Sequence, residues 1–115
     1  MPIEYRVRTS VIDAGGNLGA VVDIGDATVV GVVMDAAWDT SDQLGFKVCA
    51  TLGGTFVALY EKDVSLSTLA VVKSCAYALD PEVMAPWRYI KPWSQNGSGT
   101  DAAQADETTV TFVMK

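Results

Sequence analysis

The sequence predicts an all-β fold, an antiparallel β-sandwich of jelly-roll type with about eight strands and one short helical turn. Three observations lead to this prediction. Short runs of β-branched and apolar residues recur at roughly ten-residue spacing along the chain. Clusters of Gly, Asn and Asp, which are typical turn residues, separate these runs. No segment keeps the hydrophobic period of a long helix, which is about 3.6 residues.

The size of the chain predicts one domain. It has 115 residues, half of them hydrophobic, which is enough to bury a single core. We expect one β-sandwich domain over residues 1–115, with a flexible loop at residues 94–107. No apolar run approaches the ~20 residues of a membrane span. The start, MPIEYRVRTS, lacks the pattern of a signal peptide, so we expect a cytosolic origin and no membrane partner.

The first two strands are predicted at residues 5–12 and 18–25. In the first, Tyr5, Val7 and Val11 alternate with Arg6, Arg8 and Ser10, which is the period of a half-buried strand with an apolar side. The intervening DAGGN is turn chemistry, because glycine accepts positive φ.

The third strand, residues 28–34, is apolar on both of its faces. A strand with one solvated face should alternate, so something is expected to cover both faces of this one. Two interpretations stay open: a central strand covered by loops, or a strand whose outer face meets another subunit. The residues on which the second interpretation rests are Val29, Val30, Val32 and Met34.

The fourth and fifth strands are predicted to form a hairpin about Gly53-Gly54. Before the turn, Leu44, Phe46 and Val48 share one side, which we expect to face the core. After the turn, residues 56–60 alternate again.

The middle of the chain is predicted to hold two short strands and a helical turn. Residues 64–79 are too long for one strand and break near Ser67-Thr68; a helix over 69–79 is the competing interpretation. Asp80 suits an N-cap and Pro81 a first helical position, and Pro86 ends the turn.

The last third begins with a strand at residues 87–93 and ends with one at 108–115. In the final strand Val110, Phe112 and Met114 are expected to face inward. Between them lies SQNGSGTDAAQADE, which has turn residues and little to pack. We expect this loop, including Asn96 and Gly97, to be mobile and to offer contacts to a partner.

Charge and composition argue against several functions. The net charge is −6 and the basic residues are scattered, which disfavours nucleic-acid binding. The chain has no histidine, so zinc sites and Ser-His or Cys-His catalysis lose their usual partner. Cys49 and Cys75 follow no metal-ligand spacing, and two free, buried thiols are the expected state. We expect no enzyme activity, no metal and no cofactor.

Two further groups of residues have alternative interpretations. Asp35, Asp39 and Asp42 surround Trp38 and are expected to be turn-forming residues of a solvated loop; calcium binding is the alternative, because carboxylates suit that ion, although the spacing is not that of an EF-hand. Trp38, Trp87 and Trp93 could stack on sugar rings, or anchor the core or an interface.

Three segments together resemble small virion proteins of tailed bacteriophages and prophages. The segments are AAW…LGFKVCATLGGTFVALYEKD, AYALDP and WRYIKP. In that group a strand ending at a Gly-centred turn precedes a strand ending in Leu-Tyr-Asp or similar, followed by x-A-x-x-L-D-P and W-R-Y-I/L-K elements. The same order is similar to jelly-roll domains of the galactose-binding type. About half of the chain takes part in the resemblance.

The resemblance implies a capsid decoration or cement protein, located on the virion surface after assembly in the bacterial host cytoplasm. Such a protein binds the major capsid protein, stabilises the capsid lattice, forms homodimers or homotrimers, and has no catalytic residues. A tail or head-tail connector component and a carbohydrate-binding jelly-roll module are the alternatives. The candidate residues for a subunit or capsid interface are Val29, Val30, Val32, Met34, Trp38, Trp87, Trp93, Asn96 and Gly97.

Overall fold

The computed structural model of the protein describes residues 5–51, 53–61 and 65–115. This part of the chain forms nine strands and one short helix. The strands are β1 (Arg6–Ile12), β2 (Val22–Asp23), β3 (Val29–Met34), β4 (Gln43–Cys49), β5 (Val57–Ala58), β6 (Thr68–Leu69), β7 (Ala76–Ala78), β8 (Tyr89–Gln95) and β9 (Thr108–Met114); the helix is α1 (Pro81–Met84).

The strands form two antiparallel sheets that follow the path of one long, rolled hairpin. The first sheet has the order β1-β9-β3-β7, and the second has the order β2-β8-β4-β5, with β6 also paired to β4. The pairs are nested along the chain: β1 with β9, β2 with β8, β3 with β7, and β4 with β5. Successive pairs fall in alternate sheets, which is the topology of a jelly roll. The predicted all-β sandwich is confirmed.

The core lies between the sheets, where the alternating residues of the longer strands meet. The residues predicted to face inward in β4 and β9 are all buried: Leu44, Phe46, Val48, Val110, Phe112 and Met114. Phe46 of the second sheet and Phe112 of the first lie 6.2 Å apart between ring centroids, a distance typical of favourable ring pairs. These two rings therefore connect the two sheets near the middle of β4 and of β9.

The inward side of β1 is the opposite of the predicted one. Ser10 and Ile12 are buried, whereas Val7 is 57% exposed. The reason is the register with β9, which places Ser10 beside the buried Val110. The Ser10 hydroxyl is satisfied there because it donates to the carbonyl of Ala20. Pairing with a strongly patterned neighbour thus decided which side of β1 faces the core.

The hairpin and the helical turn lie where they were predicted. β4 and β5 pair across the Gly-Gly segment, with Gly53 at φ +78°. Asp80 caps α1 by accepting the Glu82 amide, and Pro81 occupies the first turn. In the run predicted at residues 64–79 the structure has β6 and β7, so the helix interpretation of 69–79 is wrong; Val64 lies outside the described residues.

The segment 94–107 is not the free loop that the composition predicted. Ser94 and Gln95 belong to β8 and are fully buried. Asp101 forms a bridge with Gln95 and accepts the indole N–H of Trp93 at 2.7 Å. These contacts hold the segment against the outer face of the second sheet.

Gln104 is the central packing residue of this segment, and its side chain is completely buried. Its Nε2 donates to the Asp42 carboxylate and to the Ser94 hydroxyl, each at 2.9 Å. Its Oε1 accepts the Asp39 amide at 2.9 Å and the Thr108 hydroxyl at 3.5 Å. One amide group therefore satisfies the β3–β4 connection and the facing ends of β8 and β9.

The main chain of Gln104 extends the same network. Its N–H donates to the carbonyl of Gly16, and its carbonyl accepts the N–H of Gly15. These bonds fix the turn between β1 and β2 to the segment that precedes β9. Three connections at one end of the sandwich thus meet at a single residue.

Both cysteines are free, as expected. Cys49 is buried and Cys75 is exposed. The expectation that such thiols are buried holds for Cys49 alone.

We predict that Gln104→Ala lowers the free energy of unfolding by about 2–3 kcal/mol, because it leaves several buried polar groups without partners. Urea unfolding monitored by circular dichroism measures this change. The exposed Glu107→Ala in the same segment is the control, for which we expect almost no change. Equal midpoints for the two variants would contradict the role of Gln104.

Candidate functional site

Most of the predicted interface residues of β3 lie in the core. Val29, Val32 and Met34 are each 1% exposed. Their apolar character is explained by packing within this chain, so we correct their assignment as contact residues. Val30, at a bulge in the pairing with β9, is half-buried, and Val33 is 39% exposed. The outward residue of β3 is therefore Val33, which the candidate set did not include.

The tryptophans fall into two environments. Trp38 and Trp93 are buried, at 2% and 3% exposure, so neither ring presents a face for stacking on a sugar. Their assignment as surface contacts is therefore corrected too. Trp87 packs partly against the core and remains half-buried, so it keeps a surface that a partner can touch.

Asn96 and Gly97 form a turn. The Asn96 side-chain oxygen accepts the amides of Ser98 and Thr100, and Gly97 adopts φ +93°. Asn96 is exposed and Gly97 half-buried. Their residue types are explained by this local geometry, which leaves Asn96 available to a partner without requiring one.

The Asp residues around Trp38 stabilise their own loop, as expected. Asp35 accepts the amides of Ala37 and Thr109 through its two oxygens. Asp39 accepts the amide and hydroxyl of Ser41. Within the described residues, no group of three or more His, Cys, Asp or Glu side chains is arranged to hold a metal ion.

The charged form of the Asp42 carboxyl is destabilised by its surroundings. Burial raises the pKa of Asp42, and the nearby charge of Asp39 raises it further, while a hydrogen bond from Ser94 opposes both. The carboxylate is held in place by Gln104. Its position is explained by the loop and indicates no catalytic use.

The outer face of the first sheet carries no charged side chain across its four strands. Ten residues of this sheet face outward, from β1, β9, β3 and β7, and all of them are Val, Thr, Ala or Gly. The ten are Val7, Thr9, Val11, Gly31, Val33, Ala76, Ala78, Thr109, Thr111 and Val113. We call this surface the uncharged face. Asp35 lies at its border, with its carboxylate held by backbone amides.

The uncharged face is unusual for the solvated side of an antiparallel sheet. Such a side normally carries polar and charged residues that alternate with the core residues. The chain as a whole is 19% charged and strongly acidic. An area free of charge on such a protein is typical of a surface that contacts another protein.

Of this face, the sequence drew attention to the strand β3 alone, and the candidate residues there did not include Gly31 and Val33. The signal for the rest was present in the final strand, where Thr109, Thr111 and Val113 alternate with the inward residues and none is charged. The side of β1 that joins them had been assigned to the core.

A second surface is an open groove of about 380 Å³ beside α1. Tyr60 and Trp87 are the aromatic residues that line it, and Glu61, Asp80 and Glu82 are the acidic ones. Its lining among the described residues consists of Tyr60, Glu61, Asp80, Glu82, Val83, Pro86 and Trp87, none of which is basic. We call it the acidic groove.

Comparison of the chain with protein-family models, with curated proteins and with solved structures finds no match. Among the described residues no helix is long and apolar enough to cross a membrane.

We predict that Asp42→Asn stabilises the protein at pH 7, by less than about 1 kcal/mol because the site is partly solvated. A raised pKa in the folded state means that the contribution of Asp42 to stability is complete below pH 3.8 and is lost as the pH rises through the folded pKa. Asn removes the charge and keeps an oxygen that can accept from Gln104. Thermal unfolding at pH 7 and at about pH 3.5 measures the difference.

The advantage of Asp42→Asn should shrink at the lower pH, where Asp42 is itself largely neutral. Asp42→Ala, which also removes the acceptor, should be less stable than Asp42→Asn at both pH values. An advantage for Asn that is the same at both pH values would contradict the assignment.

Proposed function

We propose that the protein is a structural virion protein, a decoration or cement protein that binds the major capsid protein through the uncharged face. The uncharged face is the observation that carries this proposal. A surface of Val, Thr and Ala suits burial against a preformed protein surface, because no charge has to be desolvated there.

The fold supports the same role. A two-layer jelly roll in which β4 and β9 are joined through the core is a rigid body. Little conformational entropy would therefore be lost when it docks. A lattice offers many identical sites, and copies that also contact each other gain avidity from modest individual contacts. The hairpin of β4 and β5 serves in this proposal as part of the scaffold.

The proposed role is non-enzymatic and needs no cofactor. The sequence segments that resemble phage virion proteins support the capsid as the partner, the host cytoplasm as the place of assembly and the virion surface as the final location. A tail or connector component would occur in few copies per particle, whereas a decoration protein would occur at a fixed ratio to the major capsid protein.

The acidic groove favours a second candidate function, carbohydrate binding. Aromatic rings such as Tyr60 and Trp87 can pack against the apolar face of a sugar, and carboxylates can accept its hydroxyl hydrogens. A glycan array, with Trp87→Ala as the negative variant, tests this function. Binding that survives this substitution would argue against the groove.

We predict that Val33→Asp leaves the protein folded but reduces its occupancy on capsids by about tenfold or more, because a charge would then be buried at the contact. Purified capsids that lack the protein are mixed with each variant and sedimented, and the bound ratio to the major capsid protein is measured. A wild-type protein that stays in the supernatant would contradict the proposed function.

Val72→Asp is the matched control, because Val72 is 45% exposed and lies outside the uncharged face. It should bind capsids like the wild type. Val32→Asp should fail to fold, because it places a charge in the core next to Phe112 in the pairing register. Equal occupancy for Val33→Asp and Val72→Asp would exclude the uncharged face as the capsid contact.

A further inference from the structure

Besides the acidic groove, the protein has a charged surface on the outer face of the second sheet. Lys47 of β4 and Lys91 of β8 are directly opposite each other in the pairing register. The Lys47 ammonium lies 4.8 Å above the ring of Trp93, and that of Lys91 lies 4.4 Å above the ring of Phe56. We call these four residues the lysine strip.

The lysine strip places two like charges side by side, an arrangement that destabilises a sheet when nothing compensates for it. In the described ranges, 5–51, 53–61 and 65–115, the salt bridges are Arg6–Asp26 and Arg88–Asp23, and neither includes these lysines. The rings below them hold the ammonium groups by cation–π attraction but supply no negative charge. An acidic partner would complete the arrangement.

The chemistry of the strip narrows the choice of partner. The faces of Trp93 and Phe56 are already covered by the lysines, so they are not free to stack on a sugar ring. A long polyanion such as a nucleic acid is bound by many clustered basic residues, whereas the strip contributes two lysines. A local group of carboxylates attached to an apolar surface fits better.

The acidic groove has this chemistry on the same chain. It carries the carboxylates of Glu61, Asp80 and Glu82 beside two aromatic rings. It also lies next to the lysine strip, because both border β5 and the residues that flank it. Phe56 belongs to the strip, Ala58 pairs with Lys47, and Tyr60 lines the groove.

We propose that a second copy of the chain docks here, so that the lysine strip of each copy faces the acidic groove of the other. Adjacent surfaces of opposite charge are self-complementary under a two-fold rotation, which forms both contacts at once. This dimer contact uses the outer face of the second sheet together with the groove beside α1, and it includes none of the residues of the uncharged face.

A pair of charge-reversed variants tests the contact. Lys47→Glu/Lys91→Glu and Glu61→Lys/Glu82→Lys should each be monomeric in sedimentation at low salt, where the wild type is dimeric. An equimolar mixture of the two should regain the dimer, because each variant then meets a partner of opposite charge. Native mass spectrometry of the mixture should show one copy of each variant per dimer.

Control variants carry the same change in charge at exposed positions elsewhere. They are Arg8→Glu/Lys73→Glu and Asp13→Lys/Glu107→Lys, and each alone should dimerise like the wild type. The wild-type dimer should also weaken as the salt concentration rises from about 0.05 M to about 0.5 M, since screening shortens the reach of exposed charges.

A wild type that is monomeric at low salt, or a mixture that stays monomeric while both variants are folded, would overturn the proposed dimer. Neither result bears on the capsid contact, because the experiment contains no capsids. Conversely, Val33→Asp should leave the dimer intact even where it abolishes capsid binding.

Discussion

One buried amide holds one end of this sandwich together. The side chain of Gln104 bonds to the β3–β4 connection and to the ends of β8 and β9, while its main chain bonds to the β1–β2 turn. In a jelly roll these segments come from distant parts of the sequence and share no regular hydrogen-bond ladder there. A fully satisfied polar network supplies the missing connection, and it fixes the geometry of the loops because each bond has a defined direction.

The sequence predicted the fold because its longest strands have strong patterns. In β4 and β9 the apolar residues alternate cleanly, and both strands face the core as expected. In β1 Val7 and Val11 lie on one side and Ile12 on the other, so the pattern favoured the wrong side, and pairing with β9 decided which side faces the core. Gln104 was missed because a polar residue among Ser, Gly and Ala gives no periodic signal; its burial depends on partners far away in the sequence.

The functional surfaces were harder to predict for a related reason. The sequence suggested an interface on β3 because this strand is the most apolar. Most of its large apolar residues, such as Val32 and Met34, lie in the core instead. The uncharged face is defined by the absence of charged residues on the outward side of four strands. This absence can be recognised only when the registers of the four strands are known. The lysine strip likewise could not be recognised from the sequence, because it depends on the pairing of β4 with β8. The outer faces of the two sheets therefore differ in chemistry: that of the first sheet is neutral, and that of the second carries two adjacent lysines. Two such surfaces would suit contacts with two different partners.

The nested pairing of the strands has a consequence for how the chain acquires its structure. β9 lies between β1 and β3, so the first sheet cannot form its central ladders until the last strand has been synthesised. Pairing Arg6 with Met114 closes nearly the whole chain into a loop, and contacts of such high sequence separation are typical of slow folding. Until that closure the neighbouring edges of β1 and β3 stay open to strands of other chains, an exposure that favours aggregation. Fast pairing of β9 once it has been synthesised therefore limits the time for which these edges are open to other chains.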